Sequence, residues 1–171
     1  MKLNLGCGNQ KLKGYVNCDK IKEVNPDKVV DLEKKLPFKD NSVAEVVLTH
    51  VIEHVTNLIQ LMEEIYRICK NKAIIKIRTP YFSSESAFSN ITHVRYFTWT
   101  SFDLFDKNHI EHFHIPNVNF KTNYKKLKWR KEFKLFEIVF GLHPKITRIY
   151  QELFCWWFPA KELEIELEVI K

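Results

Sequence analysis

The sequence predicts an α/β fold: a mainly parallel, seven-stranded sheet that ends in an antiparallel strand pair, with helices on both faces. Three observations predict it. Four short apolar runs, near 2–6, 14–19, 28–32 and 43–49, are separated by Gly, Pro, Asn and Asp. A helical pattern then leads straight into a fifth apolar run at 72–78, and this alternation argues for parallel strands joined by right-handed crossovers. Finally, Glu162-Leu163-Glu164-Ile165-Glu166-Leu167-Glu168-Val169 alternates at every position, the period of a strand with one buried and one acidic face.

Taken in order, the run from Val43 to Thr49 is apolar apart from Glu45, which suits a strand covered on both sides. Thr56 and Asn57 offer caps for a helix from Leu58 to Cys69. There Leu58, Leu61, Met62, Ile65, Ile68 and Cys69 fall at helical spacing, and Lys70-Asn71-Lys72 ends the helix. Pro80 closes the fifth strand, and residues 81–97 read as a long loop over the strand ends. Thr100 and Asp103 have the spacing of a capping box and start a short helix. A strand is expected over 117–130, an aromatic-rich helix over 145–158, and a last strand over 162–170, antiparallel to the first of these. Burying Leu163, Ile165, Leu167 and Val169 would contribute about 1.5–3 kcal/mol each. One domain over 1–171 is expected, with a cofactor-binding half (1–80) and an acceptor-covering half (81–171).

The chemistry begins at Leu3-Asn4-Leu5-Gly6-Cys7-Gly8, followed by Val16-Asn17-Cys18-Asp19. A turn built on Gly6 and Gly8 lets a ligand lie against bare backbone. A carboxylate at the tip of the next strand can take both hydroxyls of a ribose. Only Asn9-Gln10-Lys11-Leu12-Lys13 separates Gly8 from Gly14, too little for the helix whose N-terminus would hold a pyrophosphate. No P-loop pattern occurs either. A cofactor with a ribose and no phosphate suits this turn best, and S-adenosylmethionine is the common one.

Further pieces follow at Val29-Val30-Asp31-Leu32, Leu36-Pro37-Phe38-Lys39-Asp40-Asn41-Ser42 and Thr49-His50-Val51-Ile52-Glu53-His54. With these the chain resembles the class I S-adenosylmethionine-dependent methyltransferases, in particular the small type 11 group. The match is close over 3–54 and looser through Arg78-Thr79-Pro80 and Thr92-His93-Val94-Arg95-Tyr96-Phe97. The resemblance implies a Rossmann-like sheet and the cofactor S-adenosyl-L-methionine. It implies that Leu5, Gly6, Cys7 and Gly8 belong to the cofactor site, with Gly6 and Gly8 bordering the methionine portion, that Asp19 binds the ribose, and that Asp31 and Leu32 sit beside the adenine. Thr49 and His50 would lie near the sulfonium. His50 and His93 are the candidates for steering or deprotonating the acceptor, and Glu53 orients the turn. His54, Tyr81, His93 and Arg95 are the candidate acceptor contacts. The family's usual acidic residue in the first strand is here Asn4, so a carboxylate role there is lost.

Composition bounds the alternatives. With 45% hydrophobic and 13% aromatic residues, the chain can bury a core and is not disordered. Nothing approaches the ~20 apolar residues of a membrane span, and no signal peptide precedes the first strand. Cys7, Cys18, Cys69 and Cys155 show no metal or disulfide spacing and read as buried thiols in a reducing cytoplasm. The charge of +6 is concentrated in 121–134, where seven Lys/Arg face one Glu among Tyr124, Trp129 and Phe133. That run could grip RNA or another polyanion, although a solvated edge strand is the plainer reading. A non-catalytic polyanion-binding module is therefore the alternative function. A second rival is zinc hydrolysis, because His50-Val51-Ile52-Glu53-His54 is also H-x-x-E-H. That reading needs the motif on a helix, whereas a strand leads into it, and no metal is expected. His109, His112 and His114 read as a surface loop of histidines. The aromatics of 145–158 would serve core packing, a homodimer contact or a membrane surface. The expected activity is methyl transfer to an oxygen or nitrogen of a small molecule, glycan, lipid-linked glycan or RNA.

Overall fold

The computed structural model describes residues 1–141 and 143–171. Seven strands form one sheet: β1 (Lys2–Leu5), β2 (Val16–Asp19), β3 (Lys28–Val29), β4 (Val43–Thr49), β5 (Cys69–Pro80), β6 (Phe120–Lys128) and β7 (Glu162–Val169). Their order is β3-β2-β1-β4-β5-β7-β6. The first five pair in parallel, and β7 runs antiparallel to both β5 and β6. The expected reversed pair at the C-terminus is therefore present, with β7 inserted between β5 and β6.

One face of the sheet is an aliphatic ladder. Leu3, Val46, Ile75 and Leu167 are in register across it, as are Leu5, Leu48, Ile77 and Ile165. All eight are buried. The helix α1 (Leu58–Ile68) buries Leu58, Leu61, Met62, Ile65 and Ile68. Its cap is the expected Asn57, whose side chain accepts from the Gln60 N–H. The opposite face is polar. Glu45 there accepts from Tyr15 (2.6 Å) and Lys76 (2.7 Å) and pairs with Lys2 at 2.7 Å. On β4, Val46 and Leu48 belong to the aliphatic ladder, while Glu45 shares the other side with Val47.

Burial alone would raise the Glu45 carboxyl, but the hydrogen bonds from Lys2, Lys76 and Tyr15 outweigh it and hold the group at about 2. A depressed carboxyl stabilises the fold above its unfolded value, near 4.5, and loses that contribution as pH falls toward 2. Glu45→Gln should therefore cost on the order of 2–3 kcal/mol at neutral pH. The cost should shrink steadily below pH 4.5 in urea titrations of both proteins.

Several elements differ from expectation. The second strand starts at Val16 and the third stops at Val29. Lys70-Asn71-Lys72 does not end the helix. It lies inside β5, where the pairing with β4 shifts register and Lys72 takes a φ of 65°. Ser84 caps a one-turn helix, α2 (Glu85–Phe88), within the expected loop. No capping box forms at Thr100, because the Asp103 carboxylate binds Lys125 and only a 3-10 turn, Asp103–Phe105, follows. The basic run 121–134 leaves the strand after Lys128 and leads into an unforeseen helix, α3 (Lys134–Gly141). The region 145–158 is a short helix, α4 (Pro144–Ile149), continued as a π-helix over Tyr150–Phe154.

Candidate functional site

The site lies at the carboxyl ends of β1, β2 and β4, where parallel α/β sheets bind ligands. Leaving β1, the chain turns at Gly6 (φ 67°) and Gly8 (φ 46°). Cys7 donates its N–H to the Cys18 carbonyl, and Gly8 donates its N–H to Oδ2 of Asp19 at 2.8 Å. The other oxygen of Asp19 accepts from the Ile21 N–H at 3.0 Å. The carboxylate is thus fixed from two sides, with lone pairs left for a ligand. In place of a carboxylate, Asn4 donates to the Gln10 carbonyl and to Asn17 Oδ1, so the amide ties the turn to β2.

A cavity of about 460 Å³ opens beside this turn. Gly6, Gly8 and Asp19 form one wall; Asp31, Leu32 and Val30 form the next, and His54, Val55 and Thr92 close the rim. Asp31 is held below the usual carboxylate range, chiefly by the N–H of Glu33. A second cavity of about 330 Å³ lies across the same glycines, against Asn4, Cys7, Thr49 and His50. The donor set fits a nucleoside: a carboxylate for ribose hydroxyls, and apolar side chains from Ile21, Val30, Leu32 and Val55 for a base. Ile21 escaped the sequence reading, although an apolar residue two places after the ribose carboxylate was the available signal. Glu33 N and Val30 enter for the same reason, through the turn that follows β3.

The structure does not place every candidate at the cavity. Leu5 is fully buried in the aliphatic ladder, so its side chain cannot touch a ligand. Tyr81 is also fully buried, with its hydroxyl donating to Gln151 Oε1 at 3.0 Å. Desolvation pushes that phenol far up, and it is a core group, not an acceptor contact. Arg95 spends its guanidinium on the carbonyls of Val55 and Thr56. With the Val94 N–H donating to the Glu53 carbonyl at 2.9 Å, it fastens residues 92–95 over the turn that follows β4.

His50 sits at the junction of both cavities with a φ of 55°, an uncommon conformation for a side-chain-bearing residue. Its ring lies between two carboxylates, Glu162 at 3.3 Å and Glu53 at 3.3 Å. Pairing with Glu162 first, and then with Glu53, pushes the imidazole up to about 9. The two carboxylates thus favour the charged imidazole, which counts against the expected role of His50 as a base. Glu162 was missed because the acidic face of β7 reads as solvated; its partner is far away in sequence.

Glu53 is 1% exposed, and its Oε2 accepts from the Thr79 hydroxyl at 3.2 Å. Residues Ile52–His54 form a 3-10 turn, not an α-helix. The H-x-x-E-H motif therefore cannot present His50 and His54 on one helix face, which removes the hydrolase reading. The rings of His54 and His93 instead meet edge to face, with centroids 4.7 Å apart.

Residues 12–77 match the family described as "Methyltransferase domain". No curated protein matches the chain. Among solved structures, a SAM-dependent methyltransferase from Archaeoglobus fulgidus superposes with a TM-score of 0.67 at 16% identity, over 98% of this chain and 85% of that one. The YcgJ protein from Bacillus subtilis gives 0.62 at 13%, over 99% and 92%. An S-adenosylmethionine-dependent methyltransferase from Mesorhizobium loti gives 0.61 at 9%, over 98% and 89%. At these identities the structures speak for the fold, and the domain match spans the cavity's lining from Asp19 to Val55 but not Gly6 or Gly8.

Proposed function

We propose that the chain is a class I S-adenosylmethionine-dependent methyltransferase, as the domain match over residues 12–77 supports, and that it methylates a hydroxyl oxygen or amine nitrogen of an acceptor entering past His54 and His93. The observation that carries this reading is the cavity itself, with Asp19 at one end and His54 and Thr92 at the rim. Bound there, the cofactor supplies an electrophilic methyl group on a sulfonium. The chain supplies position: the glycine turn and Asp19 hold one partner, and residues 92–95 close over the side from which the other comes. Catalysis of this kind rests chiefly on orientation.

A lipid-linked acceptor is favoured by one feature. Leu153, Phe154, Trp156 and Trp157 are exposed, with Trp157 at 79%, and Lys145 stands on the preceding turns, whereas Arg148 pairs with Glu152 at 3.0 Å. Exposed aromatic side chains at the end of this helical segment and in the turn after it, with Lys145 ahead of them, suit the surface of an anionic membrane. No helix among the described residues is long and apolar enough to cross one. The polyanion alternative loses support at its own residues, because Lys125 pairs with Asp103 and Lys126 with Glu137.

Methyl-labelled cofactor incubated with the protein and fractionated cell extract tests the reading. The expected result is label in an alkali-stable ether or amine of the lipid extract. Label confined to the aqueous fraction would remove the lipid-linked acceptor, and label on carbon or sulfur would remove the oxygen or nitrogen assignment.

A further inference from the structure

The structure assigns Glu53, His54 and His93 as a binding site for a divalent transition-metal ion, of which zinc is the type. One carboxylate oxygen of Glu53 and one ring nitrogen from each histidine lie within 4.8 Å of one another. Two histidines and one carboxylate are a common ligand set for catalytic zinc, which keeps a further position open.

The surroundings of each group agree with this. In His93, Nδ1 lies 2.8 Å from the Ala87 carbonyl. In His54, Nδ1 meets the Thr92 hydroxyl at 2.9 Å and the Thr92 carbonyl at 3.3 Å. Both rings thus have Nδ1 engaged and, among the described residues, no hydrogen bond at Nε2. Metal-ligating histidines are held in this way, the second nitrogen being fixed by a carbonyl or carboxylate. Glu53 supplies an independent sign. Its Oε1 is buried and has no hydrogen bond among the described residues, the His50 ring standing 3.3 Å away as an ion-pair partner. A buried carboxylate oxygen without a donor is costly, and a cation removes that cost. The charge of His50 does not exclude one, since Glu162 lies on its other side.

The site also has a use. His54 and Thr92 belong to the rim of the cofactor cavity, so an ion on His54 borders the space where the acceptor arrives. Its open position would take the acceptor hydroxyl and lower its pKa; the proton leaves to water, and the oxygen stays bound and oriented. This role rests on the methyl-transfer reading, while the metal binding does not.

Zinc titrated by calorimetry into the chelator-treated, full-length protein tests the inference. One ion per chain is expected to bind, with affinity reduced at least about 10-fold in His54→Ala and again in His93→Ala. Cobalt in place of zinc should give visible absorption bands that both variants lose. A variant with His109, His112 and His114 all changed to Ala should bind as the parent does. The inference is overturned if zinc does not bind, if the two single variants bind it unchanged, or if the triple variant abolishes binding. S-adenosylmethionine binding by the unaltered protein is measured alongside. If it persists when zinc fails, the metal site falls and the methyltransferase reading stands; if zinc binds and the cofactor does not, the reverse holds.

Discussion

Replacing Asp19 with Ala should weaken S-adenosylmethionine binding by roughly 10²–10⁴-fold, a loss of about 3–6 kcal/mol at 1.4 kcal/mol per factor of ten. Two charge-assisted hydrogen bonds to ribose hydroxyls account for that range, at about 1.5–3 kcal/mol each. The structure adds a second cause. Asp19 also accepts the N–H groups of Gly8 and Ile21, so its removal frees the glycine turn and the Ile21 wall together. Asp19→Asn separates the two effects, because the amide oxygen can keep one of these backbone bonds while the charge is gone. Calorimetry should place Asn between the parent and Ala, with melting temperatures showing that both variants fold. Unchanged affinity in the folded Ala variant would remove the ribose assignment and with it the orientation of the whole cavity.

The features that could be read from sequence alone are those whose cause is local. The strand β7 alternates because every second side chain is buried, and the structure buries Leu163, Ile165, Leu167 and Val169 and no residue between them. Asp19 was legible because its partners, Gly8 and Ile21, lie eleven positions before it and two after it, within one strand–turn–strand unit. What could not be read depends on distant partners. Glu162 reaches His50 only through the placement of β7 beside β5. Tyr81 follows Pro80 into a segment that reads as an open loop, yet its hydroxyl has a partner in Gln151, and Tyr150 stacks on its ring. The helix α3 was hidden by the basic run ahead of it, whose lysines are drawn to Glu137 once the helix forms. The pairing of His54 with His93 likewise needs residues 92–95 folded back over the turn.

The two glycines of the turn, alike in sequence, should fail in different ways. Both have left-handed backbone, so an alanine at either costs roughly 1–2 kcal/mol. At Gly6 the added methyl would also stand 2.5 Å and 2.8 Å from the two methyl groups of Val51, and Val51 is itself buried. Such overpacking costs about 1–3 kcal/mol more. Gly6→Ala should therefore lower the melting temperature by roughly 5–15 °C in a chain of this size. At Gly8 nothing lies within 4 Å of the added methyl, which points into open space beside the cavity it lines. Gly8→Ala should cost only the backbone strain in stability and show its larger effect on cofactor affinity. The pair Gly6→Ala with Val51→Ala supplies the check. If the clash is the cause, the double variant is more stable than the sum of the single losses predicts, since the two offending methyl groups are gone. Additive losses would mean that backbone strain alone makes Gly6 indispensable, and that its closeness to Val51 is incidental.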